Sequence, residues 1–116
     1  MSGQPGAASR HWRSQRLTAI ALVPLGVWFL ASLLSQPSLG YAAVSGWFSR
    51  PLQAFLAALL GAALLWHSMQ GVQVVIEDYV GGRLRGASIL AARLLHVAAA
   101  VVLAIAILRL GRGGAP

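Results

Sequence analysis

The sequence predicts an all-α membrane protein with three transmembrane helices. Of its 116 residues, 58% are hydrophobic and only 9% are charged, whereas about a quarter of the residues in soluble domains are charged. Three apolar runs are each long enough to cross the hydrocarbon core of a bilayer, which takes about 20 helical residues. We place these spans at about residues 17–35, 52–76 and 87–108.

The chain starts with a polar segment that becomes basic. Residues 1–9 show no periodicity and are mostly Gly, Ala, Ser, Gln and Pro, which predicts a disordered tail. Residues 10–112 then form the three-helix anchor, and residues 113–116 form a second tail. The first apolar run is longer than a signal-peptide core and leads into further spans, so we expect it to be retained.

A loop at residues 36–40, which contains Pro and Gly, separates the first two spans. We expect the aromatic side chains that follow, Tyr41, Trp47 and Phe48, to anchor the chain at a membrane interface. The second span begins after Pro51, and a Gly-Gly pair ends it. The chain has no cysteine, which excludes disulfides and thiolate-held metal sites within it.

The arginines fall into two groups at the ends of the spans. One end carries Arg10, Arg13, Arg16, Arg83, Arg85 and Arg93, and the other carries Arg50, Arg109 and Arg112. The positive-inside rule therefore predicts that the N-terminus and the 77–86 loop are cytoplasmic. Because the arginines flank apolar runs, we interpret the net charge of +7 as contact with membrane lipid and expect no nucleic acid partner.

His67 lies inside the second span. One interpretation is a histidine that hydrogen-bonds a neighbouring helix. The other is an axial haem ligand, because a b-type haem needs an imidazole inside the membrane and small residues that admit the porphyrin. Ala63 and Gly71, four residues to either side, provide that room.

Asp78 lies on the same helical face as His67, because eleven residues turn a helix to within about 20° of its starting direction. With Tyr79, it is either an acidic helix end beside an interfacial tyrosine or part of a quinone site. A quinone carbonyl needs a hydrogen-bond donor such as the Tyr79 hydroxyl, and reduction takes up two protons, for which a carboxylate near water is useful. Glu77 points about 100° away, and we interpret it as structural.

Arg16 directly precedes the first apolar run. It either contacts lipid headgroups and orients the chain or binds haem propionates at the same interface. For Arg13 and His11 we favour the headgroup interpretation.

The segment His67-x3-Gly71-x6-Asp78-Tyr79 resembles the second helix of the small hydrophobic membrane anchor of succinate dehydrogenase, respiratory complex II. The N-terminal stretch HWRSQRLTAIALVP resembles the start of the same anchor, and the ending VVIEDYV is similar to the proteobacterial type. Three spans in a chain of this length also fit, so the resemblance covers nearly the whole chain.

The resemblance implies a four-subunit complex in the bacterial inner membrane. A flavoprotein subunit would oxidise succinate, and an iron–sulfur subunit would pass electrons to the anchor. This chain and a sister cytochrome b anchor subunit would pack into one helical bundle, hold haem b between them and form the ubiquinone site. The chain itself would be a non-catalytic subunit, since the dicarboxylate chemistry takes place elsewhere.

By residue match, the resemblance makes His67 the haem ligand and Arg16 a propionate contact. It makes Tyr79 a quinone hydrogen-bond donor and Asp78 its neighbour in that site. By depth in the membrane, His96 in the third span is an alternative second haem ligand. The resemblance assigns that ligand to the sister anchor, so we predict that His96 serves in packing or in a helix–helix hydrogen bond.

Two other functions remain open. One is the anchor of a fumarate reductase, which runs the reverse reaction. The other is a small non-redox membrane protein, such as an assembly factor or a holin-like pore former. A purely structural helix needs neither His67 nor Tyr79, and this argues against the second alternative.

Overall fold

The computed structural model describes residues 5–113, which form four helices joined by short connections. In chain order they are α1 (Pro5–Leu34), α2 (Tyr41–Phe48), α3 (Pro51–Tyr79) and α4 (Arg83–Gly111). The three long helices are each long and apolar enough to cross a membrane. The predicted all-α membrane protein with three transmembrane helices is therefore confirmed.

α1 starts earlier than its polar sequence indicates. Residues 5–9 are helical, although the sequence analysis placed them in a disordered tail. The side chains of Ser9 and Arg10 both bond to the Gly6 carbonyl, at 3.3 and 3.0 Å, which helps to hold this first part of the helix together. Residues 1–4 and 114–116 of the two predicted tails lie outside the described residues.

α3 is the central helix, with α1 packed against it on one side and α4 on another. Along the α3–α4 interface, Gly61 faces Leu103, Ser68 bonds to His96 and Gln73 bonds to Arg93. Residues later in α3 contact residues earlier in α4, so these two helices are antiparallel. The N-terminal part of α1 contacts the second half of α3, which brings the basic start of the chain to the same end as the α3–α4 loop. This grouping of the arginines agrees with the sequence analysis.

The ends of α3 follow from local chemistry. Pro51 occupies its first turn, where its missing N–H has no intrahelical acceptor to lose. At the other end, Gly82 has a positive φ of 64°, which only glycine adopts without strain. Arg85 then donates to the carbonyls of Val80 and Glu77, at 2.8 and 3.0 Å, and so satisfies acceptors that a helix C-terminus leaves open.

The 41–48 segment is a short helix with a buried Trp47 side chain, which corrects the expectation that Trp47 is an interfacial anchor. Trp47 is only 4% exposed, and its ring lies 5.5 Å from that of Trp28 and 5.8 Å from that of Phe29. Ser45 is also buried, and its Oγ donates to the Leu110 carbonyl at 2.7 Å. α2 therefore joins the end of α1 to the end of α4.

The core is small and the exterior is apolar. The buried hydrophobic residues are Trp47, Ala57, Leu60 and Ala92. Large exposed hydrophobic side chains cover all three long helices, which a water-soluble monomer would not tolerate. This surface fits a chain whose helices face lipid or other membrane helices.

Candidate functional site

His67 is held in the second half of α3 by a contact from α1. Its side chain is half-buried, and its Nδ1 lies 3.0 Å from the Oγ1 of Thr18. Within residues 5–113, the other ring nitrogen, Nε2, has no hydrogen-bond partner. One nitrogen is thus engaged inside the bundle, while the second is free to bind a group outside it.

The α1–α3 contact has a second hydrogen bond close to the first. The indole Nε1 of Trp66 donates to the Oγ of Ser14 at 2.8 Å. Since Ser14 lies one turn before Thr18 on α1, the two bonds together set how α1 and α3 align beside His67.

Glycines on α3 distinguish an open side from a closed one. Gly71 lies one turn beyond His67 and about 40° around the helix, and a Cβ added there would meet no atom within 4 Å. Gly61 lies about 120° from His67, and a Cβ there would collide with Leu103 of α4. The side of α3 at Gly71 is therefore open, whereas the side at Gly61 packs against α4.

The predicted quinone-site residues lie in the last turn of α3. Tyr79 is 85% exposed and Asp78 is also exposed, and neither side chain is hydrogen-bonded to any part of the chain that the structure describes. The neighbouring Glu77 instead accepts a hydrogen bond from the Nε2 of Gln73 at 2.9 Å. Asp78 and Tyr79 thus lie on the exposed surface of the chain.

Arg16 lies on a different side of α1 from the contact with His67. Arg16 and Thr18 are two residues apart, so they lie about 160° apart around the helix axis. The guanidinium of Arg16 stacks on the ring of Trp12, 5.2 Å from its centroid, in a cation–π arrangement. The structure therefore brings His67 to Thr18, and it keeps Arg16 at the same end of the bundle but on another face.

Two adjoining grooves run along α3, the first on the side opposite Gly71 and the second about 110° around the helix from Gly71. The apolar groove, of about 460 Å³, lies between α3 and α4, and His11, Arg93 and His96 are among its lining residues. The polar groove, of about 380 Å³, is lined by His11, Gln15, Gln70, Gln73, Val74 and Glu77. None of the predicted site residues lines either groove.

His96 is satisfied on both ring nitrogens. Its Nδ1 lies 2.8 Å from the Ala92 carbonyl, and its Nε2 lies 3.1 Å from the Oγ of Ser68 on α3. Because a carbonyl can only accept, Nδ1 carries the proton and Nε2 accepts from Ser68. His96 thus makes the kind of helix–helix hydrogen bond that the sequence analysis predicted.

The described residues contain no group of three or more His, Asp or Glu side chains that could hold a metal ion. Within that part of the chain, His96 is bonded at both ring nitrogens, whereas His67 is bonded at Nδ1 alone. The sequence analysis assigned no role to Thr18 or Ser68, whose hydroxyls contact the half-buried His67 and His96, because each lies far along the chain from its partner.

Comparison with known proteins gives a consistent picture. The sequence model for the succinate dehydrogenase/fumarate reductase transmembrane subunit matches residues 2–107. The succinate dehydrogenase hydrophobic membrane anchor subunit of Rickettsia bellii is 32% identical over 91% of this chain and 86% of its own length. The proteins of the same name from Rickettsia conorii and Paracoccus denitrificans are 29% and 27% identical, over 91% and 89% of this chain and 86% and 79% of their own lengths.

Proposed function

The chain belongs to the succinate dehydrogenase/fumarate reductase transmembrane subunit family, and from that premise we propose that this membrane anchor contributes an axial ligand to haem b and part of a ubiquinone reduction site. Its partners would be a sister cytochrome b anchor subunit, an iron–sulfur subunit and a flavoprotein subunit. The complex would lie in the bacterial inner membrane. By the positive-inside rule, the N-terminus and the α3–α4 loop would face the cytoplasm.

The observation that carries the proposal is the state of His67. Its Nδ1 is engaged by Thr18, its Nε2 has no partner among the described residues, and the space at Gly71 beside it is open. An imidazole held in this way suits an axial ligand, because ligating histidines almost always bond through their other nitrogen. When bound, the haem would supply a one-electron redox centre between the helices.

Arg16 is proposed as a propionate contact. It lies at the same end of the bundle as His67, and its guanidinium is exposed. A bidentate guanidinium–carboxylate pair is strong, and leaving the Trp12 ring would cost only about 0.5–1 kcal/mol at an exposed site. The new ion pair can therefore offset the loss of the Trp12 contact when the long arginine side chain rotates toward a propionate.

Tyr79 and Asp78 are proposed as part of the quinone site. Reduction of a quinone to a quinol takes two electrons, which the iron–sulfur subunit would deliver, and two protons, which must come from water on the cytoplasmic side. The Tyr79 hydroxyl would donate to one carbonyl oxygen, and Asp78 would pass protons from water. An acid in the last turn of a helix opposes the macrodipole by about 0.3–1 kcal/mol, so helix stability does not explain its presence there.

The direction of the reaction is proposed as succinate oxidation. The family includes fumarate reductases as well, but the relatives from Rickettsia and Paracoccus are succinate dehydrogenase anchors by name. This chain would not touch the dicarboxylate in either direction.

A reduced-minus-oxidised absorption spectrum of the purified complex tests the haem assignment. His67→Ala should abolish or alter the low-spin b-type spectrum, because no other imidazole lies on that face of α3. His11→Ala is the matched control, since His11 is exposed and has no role in the proposal. An unaltered spectrum in the His67 variant, with all four subunits present, would show that His67 is not a ligand.

A further inference from the structure

Thr18 lies at the centre of three short contacts. Its Oγ1 is 3.0 Å from the carbonyl oxygen of Ser14 and 3.0 Å from that of Gln15, both on its own helix. The same oxygen is 3.0 Å from the Nδ1 of His67 on α3. A threonine hydroxyl has one proton to donate and lone pairs to accept with, so the three contacts constrain where the protons are.

The two carbonyl oxygens can only accept, so only the Thr18 hydroxyl can supply a proton to them. If that proton pointed to His67 instead, Oγ1 would face both carbonyls at 3.0 Å with no hydrogen between. If it points to the carbonyls, as threonines in helices commonly do, Oγ1 is left to accept. Every contact is then satisfied if His67 carries its proton on Nδ1.

We propose that Thr18 is a positioning residue that accepts a hydrogen bond from Nδ1–H of His67 and thereby keeps Nε2 of this imidazole unprotonated. The consequence for iron rests on the proposed haem function, whereas the tautomer itself does not. The α1 backbone fixes the direction of the Thr18 hydroxyl, and that hydroxyl fixes the plane of the imidazole. A residue of α1, Thr18, thus orients the imidazole of His67 on α3.

The hydrogen bond also affects the donor strength of the ring. A partner on the far nitrogen orients a ligating histidine and raises its basicity, and loss of such a partner typically costs about 10- to 100-fold in metal affinity. The nearby bond from Trp66 to Ser14 aligns the same two helices without touching the imidazole. Removal of that bond is therefore the appropriate structural control.

His96 provides an internal reference. Its Nδ1 faces the Ala92 carbonyl at 2.8 Å, which requires a proton on Nδ1 whatever happens at Thr18. The chain contains three histidines, so nitrogen-15 signals of a histidine-labelled sample are few. The His67 signals are identified by their loss in His67→Gln.

The first experiment measures the tautomer of His67 by nitrogen-15 NMR of the full chain, free of haem, in lipid bilayers. We expect the wild-type chain to show a proton on Nδ1 at both His67 and His96. Thr18→Val keeps the shape of the side chain and removes its oxygen, so His67 should shift toward the Nε2–H form while His96 does not change. Thr18→Ser should restore the wild-type signal, and Ser14→Ala should leave it unchanged.

A wild-type His67 protonated on Nε2 would overturn the inference without any variant. An equal His67 Nδ1–H population in wild type and Thr18→Val would also overturn the inference, provided that the unchanged His96 signal shows an intact bundle.

The second experiment measures haem retention and the haem midpoint potential in the assembled complex. Thr18→Val should weaken haem binding by about 10- to 100-fold and raise the potential, because a less basic imidazole stabilises the ferric state less. Thr18→Ser should stay close to wild type. Equal retention and potential in wild type and Thr18→Val would overturn the role toward iron.

The two experiments separate this inference from the haem proposal. If His67→Ala leaves the haem spectrum unaltered while Thr18→Val shifts the tautomer, the haem proposal fails and the Thr18–His67 hydrogen bond stands. If His67→Ala removes the haem spectrum while the His67 tautomer is the same in wild type and Thr18→Val, the haem proposal stands and the positioning role fails.

Discussion

Ser68 on α3 and His96 on α4 join the two helices by a hydrogen bond of 3.1 Å between Oγ and Nε2. His96 is therefore occupied at the nitrogen that a metal would need, whereas the corresponding nitrogen of His67 has no partner among residues 5–113. Two histidines at similar depth thus have different surroundings, and this difference separates a packing role from a binding role.

We predict that His96→Leu leaves a haem with two imidazole ligands in the assembled complex, because under the proposed function the sister anchor would supply the second ligand. The absorption spectrum and the electron paramagnetic resonance spectrum measure this directly. The variant should lose about 0.5–1.5 kcal/mol of stability, the usual net contribution of one hydrogen bond, and Ser68→Ala should lose a similar amount. A shift of the iron to the five-coordinate, high-spin form in His96→Leu would contradict the prediction.

The α3–α4 interface gives a second prediction. Gly61→Ala introduces a Cβ that collides with the Leu103 side chain, so Leu103 must change rotamer or the helices must separate. Overpacking of this kind costs about 1–3 kcal/mol, and the better helix propensity of alanine offsets up to about 1 kcal/mol of that cost. Thermal unfolding of the full chain in detergent, followed by circular dichroism, should show this loss.

Gly71→Ala is the matched control for that measurement, because its Cβ meets no atom within 4 Å. In the isolated chain it should be neutral or stabilising by up to about 1 kcal/mol, since alanine is the better helix former. Equal destabilisation by both substitutions would show that the close approach at Gly61 does not limit packing.

A third prediction concerns the junction of α2 and α4. Ser45→Ala removes the 2.7 Å bond to the Leu110 carbonyl at a buried position, so the end of α4 should fray. Hydrogen exchange at the last amides of α4 should become faster, with a loss of about 0.5–1.5 kcal/mol. Ser49→Ala is the control, because its hydroxyl is exposed and bonds within its own segment, to Gly46.

The three spans could be predicted because each is an uninterrupted apolar run, and length and hydropathy alone decide whether a helix crosses a membrane. α2 could not be predicted in the same way. Its eight residues are too few for a periodic signal, and an aromatic side chain such as Trp47 suits a membrane interface as well as a packed cluster. Its burial comes from Trp28 and Phe29 of α1, which are distant in sequence, together with the adjacent Phe48.

The candidate site was predictable to the same limited extent. The face shared by His67 and Gly71 follows from helical periodicity, and the structure leaves it open. The contact with Thr18 does not follow, since a threonine in a helix normally bonds its own backbone and nothing local points to a residue 49 positions away. The roles of Asp78 and Tyr79 stay predictions, because other subunits would complete their surroundings.

Tyr79→Phe tests the proposed quinone site with the smallest change available, because it keeps the ring and removes only the hydroxyl. As the quinone carbonyl gains negative charge during reduction, its hydrogen bond becomes charge-assisted, and such bonds contribute about 1.5–3 kcal/mol. Quinone reductase activity should therefore fall by roughly 10- to 150-fold. Succinate oxidation by a soluble dye that takes electrons upstream should persist at the wild-type rate. Tyr41→Phe, at the other end of the bundle, should change neither activity, and equal losses in both assays for Tyr79→Phe would indicate failed assembly and contradict a role in quinone binding.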